Sequence, residues 1–196
     1  MWLGALGLAT TLITWAPLTA DAAAVSYQIS SVSVAVNNSS SGLKLFADTS
    51  VLHTSVFTLD DGDSVELAAF RVGTNESSVD LDDLLPKMVK ATFSFSGPAT
   101  VDAEVKGVSF GVDLLFGKEF GVIAFGPPDV VTSSLSTFSV GVQSAAFPVP
   151  GSAVVKVKVK QLASRPVPEP ASITLLVSGG VLVVGTLRRR RRSATA

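Results

Sequence analysis

The sequence predicts an all-β fold: an antiparallel β-sandwich or jelly-roll-like domain, flanked by an N-terminal signal peptide and a single C-terminal transmembrane helix. Three observations lead to this fold class. Apolar and polar residues alternate with period two through much of residues 25–164, turn-forming residues divide that stretch into short runs, and no stretch of helical period is long enough to build βαβ units.

The β domain begins with the run VSYQISSVSVAV at residues 25–36, where β-branched residues alternate with polar ones. Further runs of the same character follow, and clusters of Asn, Asp, Gly and Pro separate them, as is typical of turns. These predicted strands lie at residues 50–59, 64–72, 89–96, 100–110, 120–125, 135–142 and 152–160. Residues 79–90 are the one stretch with room for a helical turn or two, and Pro86 interrupts it.

Composition excludes several classes of function. Hydrophobic residues make up 47% of the chain and charged residues only 16%, against roughly a quarter in ordinary soluble domains, so we expect part of the chain to lie in a membrane. Residues 25–170 contain ten Lys and Arg against fifteen Asp and Glu, and this negative balance argues against nucleic-acid binding. The chain has no cysteine, which excludes thiol catalysis, cysteine-bound zinc and disulfide bonds.

Aromatic residues are unevenly distributed. All eleven Phe lie in the predicted β domain, Tyr27 is the only tyrosine, and both tryptophans lie within residues 1–24. Because sugar sites commonly stack sugar rings on exposed Trp or Tyr, a site of that kind is disfavoured.

Residues 1–24 are predicted to be a signal peptide. Residues 2–15 are uncharged and mostly apolar, Pro17 follows them, and the small residues at Ala20 and Ala22, or at Ala22 and Ala24, offer a cleavage site to signal peptidase. The usual Lys or Arg before the apolar stretch is missing. The alternative is a buried apolar helix of the β domain.

Residues 165–196 are predicted to form a membrane anchor. Residues 165–170 (RPVPEP) form a predicted Pro-rich linker, and residues 171–187 are uncharged and long enough, at about 25 Å of helix, to reach the lower limit for a transmembrane helix. Residues 188–196 form a basic tail, which by the positive-inside rule stays cytoplasmic while the β domain lies outside. The tail opens with a stop-transfer cluster of Arg188, Arg189, Arg190, Arg191 and Arg192.

The order of Val167-Pro168-Glu169-Pro170, a short apolar span and an arginine run resembles the PEP-CTERM sorting signal of exported bacterial proteins. The resemblance implies that an exosortase, a membrane-embedded cysteine protease with transpeptidase-like activity, recognises Pro168, Glu169 and Pro170. It also implies cleavage near this motif, which leaves the span behind, and a bacterial host that makes extracellular polysaccharide. A plain single-span anchor is the alternative.

Few residues of the β domain point to catalysis. The sequence GVSFG at residues 107–111 matches G-x-S-x-G, but a nucleophile elbow needs a strand, a turn and a helix, with a histidine later in the chain. His53, the one histidine, precedes Ser109 and lies in a predicted strand, where we expect it to be half-buried. We therefore predict that Ser109 belongs to an ordinary strand bounded by glycines.

Two acidic clusters offer oxygen ligands of the kind that calcium prefers. Asp60, Asp61 and Asp63 flank Gly62 between two predicted strands, where Asp-Gly is also a common hairpin signal. We predict a turn there and keep a calcium site as the alternative. The second cluster, at residues 80–83, is interpreted as the solvated start of a helical turn. No cofactor is expected.

Lys156, Lys158 and Lys160 alternate with valines in the last predicted strand, which puts three cations on one face. We predict an edge strand whose lysines prevent edge-to-edge pairing with other chains. Contact with an acidic polysaccharide is the alternative.

Together these features predict an exported, non-enzymatic protein of the cell surface or extracellular matrix, processed by signal peptidase and exosortase and associated with the extracellular polysaccharide of a biofilm. Its precursor is expected to be membrane-anchored through the C-terminal helix. The alternative is a secreted hydrolase, for example one that acts on a polysaccharide. Such an enzyme would use carboxyl groups as acid and base, and two carboxylates in one cleft would favour it.

Overall fold

The computed structural model describes residues 24–39, 41–114 and 118–164. Within these residues the chain forms eleven strands and no helix. The strands are β1 (Val25–Val36), β2 (Phe46–Asp48), β3 (Ser55–Leu59), β4 (Ser64–Thr74), β5 (Lys87–Gly97), β6 (Val101–Leu114), β7 (Lys118–Phe125), β8 (Asp129–Thr132), β9 (Ser136–Val142), β10 (Ala145–Pro148) and β11 (Gly151–Ser164).

The eight predicted strands all overlap observed ones, and β1 has the predicted bounds. Sequence reasoning missed β2, β8 and β10 because three or four residues are too few for an alternation to show. Residues 79–90 form no helix, so the interpretation of residues 80–83 as the start of a helical turn is wrong. The N–H of Asp83 donates to the carbonyl of Asp80 at 3.0 Å and that of Leu85 to the carbonyl of Asp82 at 3.1 Å, which are reverse turns, and Pro86 stops any continuation as a helix.

The strands form two antiparallel sheets, which confirms the all-β antiparallel fold class. Sheet 1 has the order β10-β7-β6-β5-β1-β3 and sheet 2 the order β2-β4-β11-β9-β8. Neighbouring strands in each sheet run antiparallel throughout the described residues.

Aromatic side chains join the inner faces of the two sheets. Tyr27 and Phe95 of sheet 1 both pack edge-to-face on Phe138 of sheet 2, with ring centroids 5.0 Å apart. Phe70 of sheet 2 packs in the same manner on Phe125 of sheet 1 at 6.2 Å. Edge-to-face pairs add to the free energy gained by burying the rings, so the core lies between the sheets and holds them together.

Strand β11 is the central strand of sheet 2. It pairs with β4 along one side and with β9 along the other. Lys158 and Lys160 are paired on both sides, and Lys156 is paired with β4. The prediction that these lysines guard an exposed edge is therefore wrong. The period of two assigns each side chain to a face of the sheet, but it does not reveal how many neighbours the strand has.

The outer faces of the two sheets differ in chemistry. On sheet 1, the outward positions of the paired strands β6 and β7 are apolar and half-buried by one another. These positions are Val108, Phe110, Val112, Phe120, Val122 and Ala124. On sheet 2, the central strand presents the three lysines instead. Sheet 1 also carries exposed lysines at Lys90 and Lys106, but both lie beside Glu104.

Candidate functional site

The predicted processing signals lie outside the described residues. These are the signal peptide other than Ala24, the linker with Val167, Pro168, Glu169 and Pro170, the transmembrane helix, and the tail with Arg188 to Arg192. No helix in the described part of the chain is long and apolar enough to cross a bilayer. The other candidate residues lie in the two sheets and their loops.

Ser109 lies in the interior of β6, and its side chain is buried with no hydrogen-bond partner for its hydroxyl. This position confirms the prediction of an ordinary strand, because an elbow would place the hydroxyl at an open strand-to-helix turn. His53 is exposed and precedes β3, so the prediction of a half-buried strand residue is wrong. The two residues do not form a hydrogen-bonded pair.

Lys87 is a buried residue that sequence reasoning missed. Its side chain is only 4% exposed, and its ammonium donates to the carbonyls of Gly42 and Leu43, the second at 3.2 Å. A charged donor gives strong hydrogen bonds in such surroundings. Lys87 thereby fastens the loop between β1 and β2 over one end of the core.

Tyr27 is the centre of a buried polar cluster between the sheets. Its hydroxyl donates to the amide oxygen of Gln161 and also lies 3.2 Å from the Ser136 hydroxyl. The Gln161 side-chain amide in turn donates to Asp61 at 3.4 Å. Burial raises the pKa of Tyr27, while the hydrogen bond to Ser136 lowers it by less. The cluster connects β1 with β9 and β11, so its residues act in holding the two sheets together.

The two acidic clusters are organised differently. Within the described residues, one group of three carboxylates has oxygens within 4.8 Å of one another, and it consists of Asp80, Asp82 and Asp83 rather than of the candidates Asp60, Asp61 and Asp63. Two carboxylates of the Asp80, Asp82 and Asp83 group accept hydrogen bonds from loop amides. The Asp82 carboxylate accepts the N–H of Gly42 at 3.3 Å, and the Asp83 carboxylate accepts the N–H of Asp80 at 2.9 Å. These carboxylates therefore stabilise loops.

The candidates at residues 60–63 form the predicted turn. The N–H of Asp63 donates to the carbonyl of Asp60 at 3.0 Å, and Gly62 has a positive φ of 88°, which glycine adopts at little cost. The predicted turn is confirmed, but it does not form a hairpin, because β3 belongs to sheet 1 and β4 to sheet 2.

We expect calcium to leave the melting temperature unchanged. A cation that binds only the folded state raises the melting temperature. The carboxylates of Asp82 and Asp83 already accept loop amides, and that of Asp61 accepts the side-chain amide of Gln161. Thermal unfolding of the full chain with millimolar calcium or with chelator checks this. A calcium-dependent increase that Asp61→Asn removes would place the ion at residues 60–63, and one that Asp82→Asn removes would place it in the other loop.

Glu104 and Asp129 line one open groove, together with Lys106 and two prolines. The Glu104 carboxylate lies 3.1 Å from the Lys90 ammonium and 3.5 Å from that of Lys106. The hydrogen bond from Lys90 lowers the pKa of Glu104, with smaller contributions from the charges of both lysines. A carboxyl-based hydrolase needs a general acid that keeps its proton near neutral pH. The lysines therefore stabilise the ionised form of Glu104, whereas a general acid must carry a proton.

No protein-family model matches this chain, and searches of curated proteins and of solved structures find no significant similarity.

Proposed function

We propose that this chain is an exported, non-enzymatic protein of the cell surface or extracellular matrix, which an exosortase sorts and cleaves through residues 165–196. The observation that carries the proposal is the order of three features in the sequence. Val167-Pro168-Glu169-Pro170 is followed by the uncharged residues 171–187 and then by five arginines. A signal peptide at residues 1–24 and a transmembrane helix at residues 171–187 complete the proposed precursor.

The physical chemistry of this segment suits a protease site beside a membrane. Three prolines in five residues favour an extended backbone that a protease can reach, because proline lacks the N–H that helices and sheets use. The arginine cluster costs several kcal/mol to move through a bilayer, so it would hold the span in place until cleavage.

The proposed cleavage lies outside the described strands. β11 spans Gly151–Ser164, and the linker follows it in the sequence at residues 165–170. A cut near Pro168 to Pro170 therefore removes none of the eleven strands. The released part would keep both sheets and the core between them.

The side chains of the two sheets support a non-enzymatic role. The buried polar groups Lys87, Tyr27 and Gln161 are hydrogen-bonded to other parts of the fold. Glu104 is ion-paired with lysines. These hydrogen bonds and ion pairs connect each group to another part of the fold, which supports a structural role for it.

We expect Glu169→Ala to prevent processing at the C-terminal end. Intact-mass analysis of the protein from its native host is expected to show that the wild type has lost residues up to Ala22 or Ala24 and also residues 188–192. The Glu169→Ala protein should keep its arginine tail. Glu66→Ala is the matched control, because Glu66 is an exposed residue of β4 far from the linker in sequence, and it should be processed like the wild type.

Retention of Arg188 to Arg192 on the mature wild-type protein would contradict the exosortase proposal and leave a plain membrane anchor. Equal retention in Glu169→Ala and Glu66→Ala would show that the effect does not come from the motif.

A further inference from the structure

We propose that the outer face of β11 binds an anionic polysaccharide. The binding surface is the line formed by Lys156, Lys158 and Lys160, called here the lysine column. This inference rests on the proposed function, because only an exported protein meets such polymers, and it deepens that proposal by naming the contact that would retain the protein in a polysaccharide layer.

The lysine column has a fixed and regular geometry. Alternate residues of a strand lie about 6.8 Å apart on one face, so the three side chains rise from the sheet at equal intervals. Hydrogen bonds from both β4 and β9 hold most of this stretch of β11. The sheet therefore presents a straight row of three cations.

The charges of the lysine column are free of ion pairs. In the described part of the chain, carboxylates lie within 4 Å of Lys44, Lys90 and Lys106, and of none of the three column lysines. All three are exposed. An exposed cation without a partner can bind an external anion without first breaking an internal contact.

Small residues flank the lysine column at every paired position except Glu66 of β4. Lys156 lies opposite Ala68 of β4, and Lys160 lies between Ser64 of β4 and Ser139 of β9. Lys158 has Gly141 as its neighbour on β9. Because these side chains are short or absent, a polymer has room to lie along β11 in contact with all three ammonium groups.

A single polymer chain fits this surface better than a membrane or a duplex does. The domain has an excess of acids, with ten bases against fifteen acids in residues 25–170. A bilayer or duplex presents a broad negative surface that would also meet those acids, whereas a narrow chain contacts the column alone. Tyr and Trp, the residues that stack best on nucleobases, are absent from β4, β9 and β11.

Glu66 provides a second way to test the inference. It is exposed on β4 and lies directly opposite Lys158, yet it forms no ion pair with it. The negative charge of Glu66, so close to the column, repels a polyanion bound there. Glu66→Gln should therefore strengthen binding, while loss of the lysines should weaken it.

The test measures binding of the purified full chain to polygalacturonate by biolayer interferometry at several salt concentrations. The variant is Lys156→Gln, Lys158→Gln and Lys160→Gln together. Its matched control is Lys44→Gln, Lys106→Gln and Lys118→Gln, which changes the net charge equally at scattered exposed positions. Circular dichroism and melting temperatures establish that both variants fold.

We expect the column variant to lose about tenfold or more in affinity at low salt. The slope of log affinity against log salt concentration should become less negative by about two to three, because three ionic contacts are lost. The control variant should bind within about twofold of the wild type, and dextran, a neutral polymer, should not bind.

Equal weakening of the two variants, or no binding by the wild type, would overturn the inference. Column-dependent binding to single-stranded DNA or to phosphatidylglycerol vesicles, without binding to polygalacturonate, would overturn the choice of polysaccharide. Column-dependent binding in a protein that keeps its arginine tail in the host would refute the sorting proposal and leave the binding surface intact.

Discussion

Replacing Phe138 by alanine is expected to lower the free energy of unfolding by about 3–5 kcal/mol. Phe138 is fully buried on β9 and contacts the rings of Tyr27 and Phe95 from the opposite sheet. Its removal leaves a cavity where the two sheets meet. Because small domains are stable by only about 5–15 kcal/mol, the variant should unfold at a much lower urea concentration.

Phe138→Leu is the matched control for this prediction. Leucine keeps most of the buried volume but loses the edge-to-face contacts, so the loss should be clearly smaller than for alanine. Losses of equal size in the two variants would show that the aromatic contacts, rather than the cavity, dominate. A loss below about 1 kcal/mol for alanine would contradict the description of this core.

Tyr27→Phe should lower the free energy of unfolding by about 1–3 kcal/mol, although it removes a single oxygen atom. The Tyr27 hydroxyl donates to Gln161, which is fully buried, so the change leaves a buried amide oxygen without that donor. Urea unfolding of the two proteins measures the difference. Gln161→Leu in the Tyr27→Phe background should cost less than in the wild type, since the second change then removes a partner that is already unpaired.

Tyr27 also makes stability depend on pH in alkaline solution. Burial raises its folded-state pKa, so the folded state holds the phenolic proton more tightly than the unfolded state does. The stability from this group is complete below the unfolded pKa of about 10 and is lost as the pH rises through the folded pKa. Above pH 10 the wild type should therefore lose stability more steeply than Tyr27→Phe.

Tyrosinate absorbance checks this prediction directly, because Tyr27 is the only tyrosine in the chain. The native protein should ionise at higher pH than the urea-unfolded protein. Identical titration curves would contradict the burial of Tyr27.

The sequence was sufficient to predict the existence of a strand wherever an alternation ran for six residues or more, although in the run at residues 50–59 only Ser55–Leu59 form one. It was also sufficient to predict the turn at Gly62, because that turn depends on local backbone preferences. The order of the strands within each sheet could not be predicted from the sequence. The pairing of β11 with β4 and β9 joins residues that are far apart in the chain, and period-two patterns look the same on central and edge strands. The role assigned to the three lysines failed for this reason.

The alternation of the strands also indicates which polar residues are buried, namely Lys87 and Gln161. The inward positions of β5 are alternate residues from Val89 onward, and the same alternation continued backward reaches Lys87. The inward valines of β11 continue in the same manner to Gln161. Extending each alternation by two residues identifies both polar side chains as inward-facing. Their partners, at Gly42, Leu43 and Tyr27, follow only from the three-dimensional arrangement.

The central position of β11 also determines how the domain would transmit a mechanical load. The lysine column and the C-terminal end of the described chain, at Ser164, belong to the same strand. Tension between a polymer bound at the column and an attachment beyond Ser164 therefore runs through the covalent backbone of one strand. The other ten strands are not in series with this load. A load between Ser164 and any other strand would instead have to shear the hydrogen bonds of β11 to β4 and β9 together, rather than unzip them one after another.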